Sequence, residues 1–236
     1  MKNSIFIIFL FFGVNVISSV HAEPAFEISE TAFNFGKVSQ SVNVSHTFWI
    51  KSTGDDTLII SKVNPGCGCT RAPIQDTILA PGDSTSLKIY FDTKRYKGHV
   101  IKKPSFFTNA SDKAFFIKIL SEPLPDPTIV QPILIDPIKI DVSQFTETVR
   151  RISEFNIINK GAVDYEVHLI DKPENDFDIK LPKIIKAGDT AIAKIIVRDE
   201  SIEKHFQHSF TVEFNDDNRT RYTIPVRRLY RNVPKR

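Results

Sequence analysis

Two stretches of this chain repeat each other at a near-constant spacing, and that repeat narrows the possible folds more than any other feature. Phe48-Trp49-Ile50-Lys51-Ser52-Thr53-Gly54 aligns with Phe155-Asn156-Ile157-Ile158-Asn159-Lys160-Gly161, a step of 107 residues. Ala80-Pro81-Gly82-Asp83-Ser84 aligns with Lys186-Ala187-Gly188-Asp189-Thr190, and Thr108-Asn109 with Phe214-Asn215, each a step of 106. A spacing held this steady over about sixty residues marks two copies of one structural unit. The chain has 236 residues, room for two units of about 100 residues each.

The unit reads as all-β. Val42 to Ile50 is mostly β-branched or aromatic, and Thr57 to Val63 is a second strand-like run. Thr85 to Phe91 alternates apolar and polar residues, as a half-buried strand does. Val100 to Thr108 and Ala114 to Leu120 follow, linked by Asn109-Ala110-Ser111-Asp112 as a hairpin turn. Ser52 to Asp56 and Ala80-Pro81-Gly82-Asp83 are turn clusters. No stretch sustains helical spacing over three turns. About seven short strands per copy, with a turn signal every 8 to 12 residues or so, is the pattern of an immunoglobulin-like sandwich. Between the copies, Glu122-Pro123-Leu124-Pro125-Asp126-Pro127 spaces three prolines at alternate positions, which removes ladder donors and favours a stiff extended linker.

The N-terminus reads as an export signal. Lys2 supplies a positive start, Ile5 to Phe12 is nearly all apolar, and Val20-His21-Ala22 puts small residues at the −3 and −1 positions. The apolar run falls short of the roughly 18 residues of a membrane anchor. No cysteine follows it, which excludes a lipid-anchored cysteine at the new N-terminus. Cleavage after Ala22 leaves no membrane span, and places the chain in an oxidising compartment, periplasmic or extracellular. Net charge is +3, too small to suggest a nucleic-acid partner. The expected architecture is therefore all-β, with two tandem immunoglobulin-like β-sandwich domains after a signal peptide. Residues 1–22 form the signal and 23–121 the first sandwich. Residues 122–132 form the Pro-rich linker, and 133–236 the second sandwich with a basic C-terminal tail.

Chemistry concentrates in Asn64-Pro65-Gly66-Cys67-Gly68-Cys69-Thr70, which holds both cysteines of the chain. Pro fixes φ and Gly tolerates positive φ, so the segment turns tightly at a strand end. Three readings stay open for Cys67 and Cys69. In the first they simply shape the loop, as buried thiols or as a disulfide. In the second they exchange with a partner's thiols, because an i, i+2 bridge closes a very small ring; the helix N-terminus and C-x-x-C spacing that usually lower a thiol's pKa are missing. In the third, two thiolates bind a soft ion such as Cu(I). Zinc wants four ligands, for which only His46 and His99 are candidate additions. The second copy has no cysteine at the matching Lys172 to Phe177 region, so the fold does not need the pair twice.

In order along the first copy stand Phe33-Asn34-Phe35-Gly36-Lys37-Val38, Phe48 to Gly54, Leu58-Ile59-Ile60, Cys67-Gly68-Cys69-Thr70, Ala80-Pro81-Gly82-Asp83 and Thr108-Asn109. This succession resembles the exported bacterial domain of unknown function numbered 1573, from Phe33 to about Leu120. The resemblance implies an immunoglobulin-like fold similar to the ASH/Hydin and PapD-like sandwiches, and export. It implies no activity.

Other residues carry weaker signals. Gly66 to Arg71 begins like a dinucleotide-binding G-x-G-x-x-G but ends in Arg in an all-β context. There is no G-x-S-x-G, H-E-x-x-H or P-loop. His205 and His208 are expected at the surface, on opposite faces of a strand. Trp49 is expected in the core, and Arg227, Arg228, Arg231, Lys235 and Arg236 in a solvated tail. The expected function is a non-catalytic, exported binding or assembly module of the cell envelope, with no cofactor and an envelope or surface protein as partner. The alternative is redox exchange or copper binding at Cys67 and Cys69.

Overall fold

The computed structural model describes residues 22–126, 131–146, 148–173 and 175–231; the stretch up to residue 21, where an export signal is expected, and the last five residues lie outside them. Nearly every element is a β-strand. The first half contains β1 (Phe26–Ile28), β2 (Ala32–Ser39), β3 (Asn43–Ser52), β4 (Leu58–Asn64), β5 (Thr70–Arg71) and β6 (Ile78–Leu79). It continues with β7 (Ser84–Asp92), β8 (Val100–Lys102), β9 (Ser105–Thr108), β10 (Ser111–Phe116) and β11 (Lys118–Leu124). The second half contains β12 (Ile133–Asp136), β13 (Ile140–Asp141), β14 (Ile152–Asn159), β15 (Tyr165–Asp171) and β16 (Phe177–Lys180). After these come β17 (Ile184–Ile185), β18 (Thr190–Val197), β19 (Phe206–Phe214) and β20 (Arg221–Arg228). A 3-10 turn, Asp199–Ser201, precedes β19.

Corresponding strands build corresponding sheets. One sheet runs β1-β3-β7-β5 in the first domain and β12-β14-β18-β16 in the second. The facing layers are β10-β9-β4-β6 and β17-β15-β19-β20. The repeated turn residues make repeated bonds. The Asn109 side-chain carbonyl accepts the Ile59 N–H, and that of Asn215 accepts the Glu166 N–H. Gly82 and Gly188 take positive φ in matching turns, which only glycine adopts freely. Asp83 and Asp189 then donate N–H to the carbonyls of Ala80 and Lys186.

Strand periodicity sorts the side chains. In β3, Phe48 and Ile50 are fully buried while Trp49 between them is 42% exposed. The expectation that Trp49 packs in the core is thus overturned, because a strand has room for only every second residue inside. The cores are two distinct clusters. Phe33, Phe35, Phe48, Phe91 and Phe106 anchor the first, and Phe155, Phe177, Phe210 and Phe214 the second. Each such buried side chain contributes about 1.5–3 kcal/mol.

Proline redraws two strands. Val100 to Thr108 is not one run: Pro104 interrupts it, β8 joins β11 in one sheet, and β9 joins β4 in the other. At the other end, β11 continues through Glu122, Pro123 and Leu124, paired in parallel with β2 at Lys37, Val38 and Ser39. The first three residues of the Pro-rich stretch are therefore strand.

The two domains share a sheet although they do not share a core. The order β17-β15-β19-β20-β2-β11-β8 crosses the boundary where Lys37 of β2 meets Tyr222 of β20. Around this seam the Ser209 hydroxyl accepts the Ser45 N–H at 3.0 Å and donates to the Ser45 carbonyl at 3.2 Å. The Thr223 hydroxyl donates to the Phe35 carbonyl at 2.6 Å. His46 stacks on Phe33 at 3.6 Å between ring centres. Its Nε2 bonds Glu30 at 2.8 Å, and its Nδ1 lies 3.1 Å from Asp171 of the second domain, at ion-pair distance but outside hydrogen-bond alignment.

Candidate functional site

The cysteine loop connects β4 to β5 at the rim of the first sandwich. The Asn64 side chain accepts the Gly66 N–H at 3.0 Å, and Gly66 takes positive φ, which turns the chain back. Thr70 then donates its N–H to the Cys67 carbonyl at 3.2 Å, and Asp92 donates its N–H to the Cys69 carbonyl at 2.9 Å. The loop is thereby pinned to β7 before the sulfurs are considered.

Cys67 and Cys69 are joined to each other by a disulfide. The sulfurs face different surroundings. Cys69 packs against the first core. Cys67 lines an open cleft with Pro65, Gly66, Ile101, Lys102 and Lys103. The buried Thr70 hydroxyl lies 3.3 Å from the Cys67 sulfur and 3.7 Å from the Cys69 sulfur. A disulfide sulfur carries no proton, so the hydroxyl is the donor to whichever sulfur it meets. Chemically, the arrangement offers two half-buried sulfurs, one at the cleft and one against the core, and one hydroxyl near both.

The histidines named as possible additional ligands are placed elsewhere. His46 is held at the domain seam between Glu30 and Asp171. His99 is exposed on the segment before β8. Among the described residues no group of three or more His, Cys, Asp or Glu could hold a metal ion. In the disulfide form neither sulfur is a thiolate ligand, so the soft-metal reading concerns the reduced loop alone.

His205 is exposed, but His208 is not an ordinary surface residue. Its Nε2 bonds Asp176 at 2.7 Å and its Nδ1 lies 3.5 Å from the Lys88 ammonium of the first domain. An ammonium can only donate, so Nδ1 accepts and the neutral ring carries its proton on Nε2. Burial first, then Lys88, hold the His208 pKa below 6.5. For His46, burial alone would push the pKa down, but Asp171 and Glu30 outweigh it and the pKa is raised above 6.5.

The expected solvated tail is also corrected. Arg227 and Arg228 lie in β20, and Arg228 is fully buried. Its guanidinium donates to the carbonyls of Ile202, Val142 and Arg150 and to the Gln144 side chain. These acceptors replace the water that the charge would otherwise need. Arg231 is exposed, and Lys235 and Arg236 lie outside the described residues.

One feature of the rim matches no sequence motif. Lys94-Arg95-Tyr96-Lys97-Gly98-His99-Val100-Ile101-Lys102-Lys103 holds five Lys or Arg and no Asp or Glu. It runs past the cysteine loop into β8. The signal was a plain charge run, masked by the near-neutral balance of the whole chain.

Among solved structures, the chain is similar to a protein of unknown function from Porphyromonas gingivalis W83. The identity is 12%, with 86% of this chain and 98% of that one covered and a TM-score of 0.36. It is similar to the chaperone YadV at 13% identity, with 86% and 98% covered and a TM-score of 0.32. It also matches the Vibrio cholerae protease VesB at 15% identity, with 42% of this chain and 32% of that one covered and a TM-score of 0.33. At these identities none of the three lends its activity to this chain. No curated protein matches. Residues 26–122 match the family model described as Protein of unknown function (DUF1573), covering every strand from β1 to the middle of β11. The stretch that this family model matches is the first sandwich of the chain, with its disulfide-closed rim.

Proposed function

We propose that this chain is an exported, non-catalytic protein-interaction module of the cell envelope. The observation that carries the reading is the rim of the first sandwich. There, sheets end in strands bonded on one side only among the described residues. Large apolar side chains stand in solvent beside them, with Ile78 68%, Phe116 60% and Ile101 57% exposed. Exposed edges and apolar side chains together are what a partner strand covers in β-augmentation. The signal-like segment Met1 to Ala22 supports export. No helix among the described residues is long and apolar enough to cross a membrane.

A photo-crosslinker at Phe116, with one at Lys51 on β3 as control, tests the reading in intact cells. A discrete protein adduct specific to Phe116 is the expected result. Absence of any adduct, together with thiol-exchange turnover by the purified protein, would overturn it.

A second reading is favoured by the asymmetry of the disulfide. A partner thiolate can approach Cys67 from the cleft and bond to its sulfur while the S–S bond breaks and Cys69 leaves as thiolate. The Thr70 hydroxyl is in reach to donate to that thiolate. A second partner thiol then displaces Cys67, leaving the partner oxidised and the loop reduced. Disulfide exchange with a dithiol peptide, compared between wild type and Thr70→Val, tests this reading. Equal rates would remove Thr70 from it, and no exchange would end it.

A further inference from the structure

The strand β8 ends the long sheet. It pairs with β11 through Val100, Ile101 and Lys102 opposite Ser121, Leu120 and Ile119, and no strand lies on its other side among the described residues. Two clefts meet at its end, sharing Lys103. Phe116, Thr31, Ala32, Ile117 and Lys118 line one. Ile101, Lys102, Pro65, Gly66 and Cys67 line the other.

The charge of this edge is predominantly positive. Lys94, Arg95, Lys97, His99, Lys103 and Lys118 are exposed around it. Lys102 is occupied internally, its ammonium donating to the Tyr96 hydroxyl at 3.0 Å and sitting 4.1 Å from the Tyr96 ring centre. The nearby acids are Asp92, whose carboxylate accepts the Lys94 N–H, Glu122 on β11, and Glu30, which precedes the cleft-lining Thr31 and is paired with His46. The excess is strongly positive.

Lysines on an edge strand can serve only to keep other chains away. That role does not account for Ile101 and Phe116 standing exposed within the same patch. Nor does a purely electrostatic role, such as contact with an anionic surface, use the unpaired side of a strand that ends its sheet. A partner that uses the edge, the apolar side chains and the charge at once is an extended peptide with alternating apolar and acidic residues.

We propose that the free edge of β8 is a docking strand for an extended acidic polypeptide segment. The segment adds beside Val100–Lys102, places apolar side chains against Ile101 and Phe116, and sets carboxylates against Lys97, Lys103 and Lys118. This deepens the interaction-module reading and rests on it.

The test titrates the secreted chain with a fluorescent peptide of alternating Val and Glu. A second peptide of the same sequence carries N-methyl groups on alternate residues, which blocks strand pairing and leaves the charge unchanged. The first peptide is expected to bind and to protect the β8 amides from hydrogen exchange. The N-methylated peptide, and the variant Lys97→Glu, Lys103→Glu, Lys118→Glu, should each bind about tenfold more weakly. These lysines are exposed, so the variant keeps the fold, which its unchanged melting temperature verifies. No binding, equal binding of both peptides, protection at another strand, or binding to phosphatidylglycerol vesicles in place of the peptide would each overturn the proposal. If the Phe116 crosslink adduct persists in the triple variant, the interaction module stands and this acidic-strand assignment falls.

Discussion

Gly36 of β2 lies so close to Arg221 of β20 that a Cβ added to it would sit 2.3 Å from the Arg221 carbonyl oxygen. The glycine also takes a φ of 61°. Its missing side chain is what lets the sheet pass from one domain into the other, since Lys37 beside it makes the pairing with Tyr222.

Gly36→Ala should therefore open the seam. Backbone strain at positive φ costs about 1 kcal/mol, and the clash with backbone adds to it. Gly82→Ala is the control, with φ of 89° and nothing within 4 Å of the new Cβ. It should lose the strain term alone. A larger drop in melting temperature at Gly36, with a larger radius of gyration in X-ray scattering, is the expected outcome; equal effects would show that the seam does not need the close approach.

The seam should also respond to pH, in two opposing ways. His46 has a folded pKa above 6.5. Its pairs with Glu30 and Asp171 therefore stabilise fully below that value, and the benefit is lost as pH rises through the folded pKa. His208 has a folded pKa below 6.5. Its neutral ring, flanked by Lys88 and Asp176, loses stability as pH falls from 6.5 through the folded pKa. His46→Gln should thus lower the melting temperature more at about pH 5.5 than at about pH 8.5. His208→Gln should flatten the acid-side loss. A parallel pH profile for wild type and His46→Gln would contradict this account.

Arg228 should be irreplaceable by lysine. Its planar fork reaches acceptors on the segment from Val142 to Arg150 and on Ile202 together. An ammonium has three donors and no fork. Arg228→Lys leaves buried carbonyls unpaired, at a loss of about 2–4 kcal/mol. Arg227→Lys, next in sequence, alters only a half-exposed pair with Asp141 and should lose about 0.5 kcal/mol. Urea unfolding of the two variants checks the contrast.

What the sequence made legible was local. Gly82 and Gly188, and Asn109 and Asn215, are turn residues whose spacing survives duplication, and they occupy matching bonds. Trp49 was misplaced because a β-branched run hides its own alternation: composition says core, and only pairing register says which face. Arg228 looked like a tail residue because its acceptors are backbone carbonyls, which leave no mark in a sequence. The seam was invisible for a related reason. Lys37 and Tyr222 meet across the whole chain, and His46 and Asp171 become partners only once that pairing exists. At the rim, the cysteines could be named but not the cleft beside Cys67, whose far wall is Ile101, Lys102 and Lys103 around β8.

The disulfide should matter little to stability. It bridges Cys67 and Cys69 across one residue, so it removes little freedom from the unfolded chain, about 1–2 kcal/mol at most by loop closure. The loop is held independently by the Asn64 side chain on Gly66 and by the Asp92 bond to Cys69. The second domain builds the matching β15-to-β16 connection with no cysteine. Reduction, or the double substitution Cys67→Ser and Cys69→Ser, should lower the melting temperature by only a few degrees and leave the β-sheet circular dichroism unchanged. Loss of the cooperative transition on reduction would instead make the bridge a structural requirement. It would also remove the thiol-exchange reading, because a loop that unfolds on reduction cannot cycle.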